Sequence, residues 1–350
     1  MKHERSLDGL RALAATAVVF FHVGFPLSGG GIRGVDIFFV LSGFLITSLL
    51  KDADRGYLDF WIRRVKRLMP ALALFLATYV ISAPFLLPAY APTRFADALF
   101  AFFYVSDQAT TYHWMHGLGH AWSLAVEGQF YLLWPLVVRS LKRLTPMIAS
   151  SLLLLAWVVV TLARDFVYLE YGWHMAYYPS ELHCTGLLLG AAIAFRPWTA
   201  RLGLVGGAML AILYVCELTP DNTGPLLWSI PLAELAAALV ICSLTHDTLA
   251  RRVLGWEPLA KYGLLSYGVY LWHHPLSLIF SNERWFIKGP LVLGLASLLS
   301  FISYVTIEAM FRKRPGGARP SKGADGDGGK PVPEPQIGTL SAEGPSTSPP

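Results

Sequence analysis

Charge is scarce in this chain. Lys, Arg, Asp and Glu make up 15% of its 350 residues, against about 25% in a soluble domain. A soluble globular enzyme and a disordered polar chain both fit that poorly. Cysteine is scarcer still: Cys184, Cys216 and Cys242 sit inside apolar runs without paired spacing, which speaks against a disulfide framework and a zinc site. A basic stripe is also lacking. The net charge of +5 is dispersed over short segments, so nucleic acid is not an expected partner. What the chain has instead is hydrophobic residues, 54% of the total, and a mean hydropathy of +0.49. This is the composition of a polytopic membrane protein whose first partner is the lipid bilayer.

Apolar runs recur near 7–25, 34–50, 69–87, 121–138, 147–164, 182–196, 202–217, 226–246, 263–280 and 289–311; a helix needs about 20 such residues to cross a bilayer. The eleventh stretch, Phe95 to Val105, is shorter and reads as re-entrant or interfacial. The predicted fold class is therefore all-α, with about ten transmembrane helices. Basic residues set the parity. With the N-terminus inside and ten spans, the inner segments collect Arg5, Lys51, Arg63, Arg64, Lys66, Arg67, Arg139, Lys142, Arg143, Arg251, Arg252 and Lys261, while the outer side keeps mainly Arg33, Arg94, Arg284 and Lys288. That asymmetry predicts cytoplasmic termini in the inner (plasma) membrane. An extra crossing at Phe95–Val105 would put Arg139–Arg143 outside. The first span opens with Glu4, Arg5, Asp8 and Arg11 and lacks a small-residue cleavage site, so it does not read as a signal peptide. Two regions are expected: a membrane domain over 1–312, and a disordered cytoplasmic tail over 313–350. The 36 residues from Pro315 hold 20 Pro, Gly or Ser and no aromatic, too little apolar surface to order themselves.

Ionisable groups inside spans are costly and point to function. Arg11 and His22 lie eleven residues apart in the first run, about 1100° around a helix and about 16 Å along it, so they share a face. Arg11 reads equally as an anchor snorkelling to the interface, whereas His22 among Val18, Val19, Phe20 and Phe21 asks for a chemical reason. Asp36 opens the second run at the depth of His22, and Glu127 lies one to two turns into the fourth. A carboxylate on one imidazole nitrogen fixes the tautomer and frees the other to take a proton; the alternative is a buried ion pair tying helices together. Gly29–Gly31 and Gly34 permit either backbone approach to a ligand or a tight re-entry, and Gly43, beside Ser42, reads as helix packing. Arg63, Arg64, Lys66 and Arg67 suit topology, anionic lipid or the phosphates of a large donor. Tyr267, Tyr270 and His274 follow a helical spacing that can line a polar lumen, with His273 pointing about 100° away from His274. His113, His116 and His120 crowd one loop without a carboxylate or cysteine, so no metal is expected.

Several stretches together resemble the acyltransferase 3 family of integral-membrane O-acyltransferases. They are Arg5-Ser6-Leu7-Asp8-Gly9-Leu10-Arg11-Ala12 with His22, Gly34-Val35-Asp36 through Ser42-Gly43-Phe44-Leu45-Ile46, and Arg64-Val65-Lys66-Arg67-Leu68-Met69-Pro70. To these are added His120-Ala121-Trp122-Ser123-Leu124-Ala125-Val126-Glu127, Phe130-Tyr131, and Ser266-Tyr267 through His273 and Pro275. The resemblance implies ten-helix enzymes that move an acyl group, commonly acetyl, from cytoplasmic acyl-CoA to a sugar hydroxyl. It implies a catalytic His22, with Arg11, Arg64 and Arg67 handling acyl-CoA. One position departs: His183 stands where the family often has arginine.

The resulting expectation is an acyl-CoA-dependent O-acyltransferase with no bound cofactor, no metal and no obligate protein partner. His22 is the general base, oriented by Asp36 or Glu127. Arg11, Arg64, Arg67 and Ser42 hold acyl-CoA, probed on the acceptor side by Trp122, Ser123, Tyr131, Tyr267, Tyr270 and His273 around a sugar. The rival reading is a proton-coupled transporter with His22, Asp36 and Glu127 as a relay, which leaves the Arg pair unexplained and lacks an inverted repeat.

Overall fold

The computed structural model describes residues 4–52, 56–216 and 223–312. The tail read at 313–350 lies outside the described residues. Among these, all regular structure is helical: α1 (Arg5–Val23), α2 (Gly34–Lys51), α3 (Tyr57–Leu86), α4 (Arg94–Phe102), α5 (Ser106–Thr111), α6 (Trp122–Leu141), α7 (Pro146–Tyr171), α8 (Trp173–Tyr177), α9 (Ser180–His183), α10 (Thr185–Phe195), α11 (Gly203–Val215), α12 (Thr223–Leu244), α13 (Leu249–Leu254), α14 (Glu257–Gly263), α15 (Ser266–Ile279), α16 (Trp285–Val305) and α17 (Ile307–Arg312). Every expected apolar run falls on a helix. Five stretches, Arg5–Val23, Gly29–Lys51, Tyr57–Leu86, Pro146–Tyr171 and Trp285–Phe311, are long and apolar enough to cross a membrane by themselves. The others are shorter or more polar: α10 is 11 residues long, α11 is 13, and α6 carries Glu127 and Gln129 in its interior. The run read at 182–196 is not one span, because α9 and α10 are separated at Cys184.

The packing is that of a bundle in lipid. α1 and α2 are central, with 61% and 72% of their apolar windows buried, whereas α7 and α16 bury only 17% and 22%. The peripheral helices turn Leu155, Val159, Leu162, Phe166, Leu298 and Phe301 outward, a distribution that water would penalise and hydrocarbon does not. Between helices, where lipid offers no hydrophobic drive, association depends on close approach of small residues. Gly186 and Gly190, a small-xxx-small pair on α10, meet α2: a Cβ at Gly190 would lie 2.0 Å from the Val40 carbonyl oxygen, and one at Gly43 2.1 Å from that of Leu187. Gly43 is thus a packing glycine, as its surroundings in sequence suggest. The Gly29–Arg33 segment is a 3₁₀ turn whose Gly30 abuts the Leu213 carbonyl of α11, a tight re-entry. Gly190→Ala is therefore expected to abolish recovery of monodisperse detergent-solubilised protein, while Gly207→Ala, with nothing within 4 Å of the new carbon, leaves it unchanged.

The Phe95–Val105 stretch does not continue as one helix. α4 ends at Phe102 and the chain reverses at Tyr104, a residue in the left-handed region with φ 55°. The turn is tied to the bundle: Gln129 Nε2 donates to the Tyr104 carbonyl at 2.9 Å, and the Tyr104 hydroxyl donates to Met69 Sδ at 3.8 Å. Gly128 makes room for the Tyr104 ring.

Candidate active site

α1, α2, α3, α6 and α15 surround a cavity lined by Arg11, Ser42, Arg64, Arg67, Ser123, Glu127, Tyr131, Ser266, Tyr267 and Tyr270 with apolar Val35, Phe38, Phe39, Leu68 and Leu124. A second cavity shares Arg11, Arg64, Arg67, Ser266 and Tyr267 and is lined also by Glu4, Asp8 and Glu308 at the N-terminal end of α1. The two lie side by side along one passage wall that carries the three arginines. Of the four cations Arg63, Arg64, Lys66 and Arg67, only Arg64 and Arg67 line it, because residues three apart share a helix face; Arg63 turns instead to Asp59 at 3.7 Å. Arg64 is further fixed over the rings of Phe60 and Tyr131, at 5.6 and 5.3 Å.

Glu127 faces this passage. Ser42 Oγ donates to its Oε1 at 2.6 Å, and the Tyr131 hydroxyl donates between its Oε2, at 3.2 Å, and Ser42 Oγ, at 3.3 Å. At the far end Ser123 Oγ and the Tyr270 hydroxyl lie 2.5 Å apart, and Tyr270 also donates to the His120 carbonyl at 3.0 Å. Tyr267 lines the wall and donates to the Leu68 carbonyl at 3.2 Å.

Tyr270 connects the passage to four imidazoles. Its ring is 5.2 Å from His273 and 5.7 Å from His120. His273 and His274 flank His22 at 5.0 and 5.2 Å, and His120 stacks on His274 at 4.7 Å. His22 Nδ1 is hydrogen-bonded to the Val18 carbonyl at 2.9 Å. A carbonyl accepts, so Nδ1 carries the proton and Nε2 the lone pair, the state of a competent base. The His22 carbonyl in turn accepts from Ser277 Oγ at 2.8 Å and Lys288 Nζ at 3.3 Å, anchoring this turn of α1 to α15 and α16.

The carboxylates do not meet His22 as expected. Asp36 is fully buried and pairs with Arg33 at 3.0 Å and with His183 Nε2 at 3.0 Å. Glu127 belongs to the arginine passage. The orienting acceptor on His22 is the backbone of its own helix, and the relay of the transporter reading is divided among three separate groups. Depth along a helix places residues at one level; it does not turn them towards each other. The His183 ring lies between two acceptors, Asp36 and the Tyr177 carbonyl. Next to it Arg164 donates to Thr185 at 2.9 Å, Thr185 donates to Glu234, and Trp157 Nε1 donates to Glu234 at 2.6 Å. These buried pairs join α2, α7, α9, α10 and α12.

Trp122 does not line the passage; it packs among Phe39, Tyr177, Tyr178 and His183 at 4.8–6.0 Å. His274 does not line it either, and joins His273 against His22. His120 leaves the loop group in which the sequence placed it, while His113 packs on His174 at 4.1 Å. Among the described residues no group of three or more His, Cys, Asp or Glu is arranged to hold a metal ion.

A family model described as an acyltransferase domain matches residues 4–308. The putative peptidoglycan O-acetyltransferase YrhL of Bacillus subtilis is 32% identical over 87% of this chain and 54% of its own length. The peptidoglycan O-acetyltransferase OatA of Listeria monocytogenes is 31% identical over 79% and 49%, and the O-acetyltransferase OatA of Staphylococcus aureus 32% over 88% and 57%. The chain thus spans about half the length of these curated relatives. No solved structure matches it.

Proposed function

The chain belongs to the acyltransferase family, and from that premise we propose that it moves an acetyl group from acetyl-CoA to a hydroxyl of a cell-wall glycan, with His22 as general base. The observation that carries this reading is an arginine-lined cavity whose Tyr270 also packs against His120 and His273, the latter ring lying beside His22. An acyl-CoA is a polyanion with a long neutral arm ending in a thioester. Arg64 and Arg67 supply the cations for its phosphates, and Arg11 stands farther along the same wall. Ser42, Glu127 and Tyr131 bound the narrow part, and Ser123 and Tyr270 its end. In this reading the arginine end is cytoplasmic, the bundle sits in the plasma membrane with its N-terminus inside, and residues 1–312 are the transferring domain. The glycan as acceptor rests on the relatives named for peptidoglycan.

The chemistry follows from the geometry. His22 Nε2 takes the hydroxyl proton while the oxygen attacks the thioester carbonyl; the C–S bond breaks as the C–O bond forms, and the proton returns to the CoA thiolate. The apolar walls restrict water, which limits hydrolysis of the thioester. Tyr131, Tyr267, Tyr270 and Ser123 offer rings and hydroxyls on the way to the acceptor, whereas Trp122 serves by packing. Asp36 acts by holding α2 to α9.

The test is transfer of label from acetyl-CoA to soluble peptidoglycan fragments by membranes holding the full chain. Arg64→Gln with Arg67→Gln is expected to raise the KM for acetyl-CoA by about tenfold or more, each lost charge-assisted contact being worth about 1.5–3 kcal/mol, with a smaller change in kcat. An unchanged KM for acetyl-CoA would remove the donor from this passage.

A further inference from the structure

We propose that His22, His120, His273 and His274 act as one base, the three further imidazoles sharing the proton that His22 takes from the acceptor hydroxyl. This rests on the acyl-transfer reading and adds to it the partner that the carboxylates fail to provide.

An imidazole in its neutral form has one N–H and one lone pair. His273 Nδ1 lies 2.6 Å from the Tyr270 carbonyl, and His120 Nε2 lies 3.2 Å from that of Leu271. His274 is hydrogen-bonded to the Gly117 backbone, and His22 Nδ1 to Val18. Carbonyls only accept, so the backbone claims the proton of His22, His120 and His273 and leaves each with a bare lone pair. His120 Nδ1, His273 Nε2 and His274 Nδ1 are all buried and have no hydrogen-bond partner in the protein. A buried acceptor without a donor is destabilising, and here there are two near His22, His120 Nδ1 and His273 Nε2. What satisfies such a set is a proton. Once His22 holds one, its imidazolium lies beside the Lys288 amine, which donates to the His22 carbonyl, and no carboxylate touches it. The other groups packed there are Ser277 and the Phe21 ring. Neighbouring lone pairs then provide the stabilisation: the rings of His273 and His274 flank His22 with centroids 5.0 and 5.2 Å away, and because no imidazole nitrogen here is hydrogen-bonded to another before the proton arrives, that contact forms as His22 is protonated. Atoms balance: the proton leaves the acceptor oxygen, resides on the cluster, and returns to the CoA thiolate, so the imidazoles end as they began.

His273→Asn keeps a donor for the Tyr270 carbonyl and replaces the basic ring nitrogen with an amide oxygen that cannot take a proton; His120→Gln does the same for Leu271. Each is a positioning change, read by release of CoA thiol from acetyl-CoA with soluble peptidoglycan fragments as acceptor, and by the rate across mixtures of light and heavy water. For the wild type the rate is expected to curve with deuterium fraction, as more than one proton moves. Each variant is expected to lose about tenfold in kcat with an unchanged KM for acetyl-CoA, and its dependence to become linear. A linear wild-type dependence overturns the proposal whatever the variants do. So does wild-type kcat in both variants while His22→Asn is inactive, which leaves the transfer reading standing. An active His22→Asn would instead sink that reading itself.

Discussion

His22→Ala is expected to abolish transfer of label to the glycan, with a loss of about 10²–10⁴-fold, the usual contribution of a positioned base. A bare alanine also deletes the hydrogen bond to Val18, so the informative partner is His22→Asn, whose side-chain amide reaches the same carbonyl at 2.9 Å in the wild type and lacks the second nitrogen. Both variants are expected to accumulate in membranes at the wild-type level, because Ser277 and Lys288 hold this turn through the His22 carbonyl and not through its ring. Equal labelling by His22→Asn and wild type would remove His22 from the chemistry. Loss in His22→Ala alone would make the Val18 contact, and not the base, the reason.

The helices were legible in the sequence because hydropathy is local: the apolar runs fall on helical segments, although those at 182–196, 263–280 and 289–311 are each divided between two. The arginine pair was legible only through the family resemblance, which singles out Arg64 and Arg67 among four cations; that residues three apart share a helix face is what lets both line one cavity. What failed was azimuth between helices. His22, Asp36 and Glu127 were assigned similar depths, yet His22 turns to α15, Asp36 to α9 and Glu127 to α2. The break at Cys184 was hidden for the same reason, because it follows from His183 reaching Asp36 and Thr185 reaching Glu234, contacts across 147 and 49 residues. His120 looked like a loop residue; the 3₁₀ turn Gly119–Ala121 carries it to α15. Its place just ahead of Trp122 in the family-like stretch was the one signal available. His273 and His274 diverge by about 100° on their own helix and still both meet His22, since α1 passes between them.

Asp36→Ala is expected to be the most destabilising polar change in the bundle. Arg33 and Asp36 are 3% and 0% exposed, and removing one member of such a pair leaves an uncompensated buried charge at a cost of about 3–5 kcal/mol. His183 loses its acceptor in the same step. The double variant Arg33→Met with Asp36→Ala removes both charges and is expected to unfold at a higher temperature than Asp36→Ala alone, a coupling of about 0.5–3 kcal/mol, measured by thermal unfolding in detergent. The same experiment decides between the two roles a carboxylate at this depth suggests. If Asp36 acts only by holding α2 to α9, the fraction of Asp36→Asn protein that remains folded turns over at nearly the wild-type kcat while its unfolding temperature falls. If it governs the proton on His22, stability is kept and kcat drops by two orders of magnitude. The contacts favour the first outcome, because both oxygens of Asp36 are already engaged by Arg33 and His183, and the nitrogen of His22 that a carboxylate would orient is engaged by Val18.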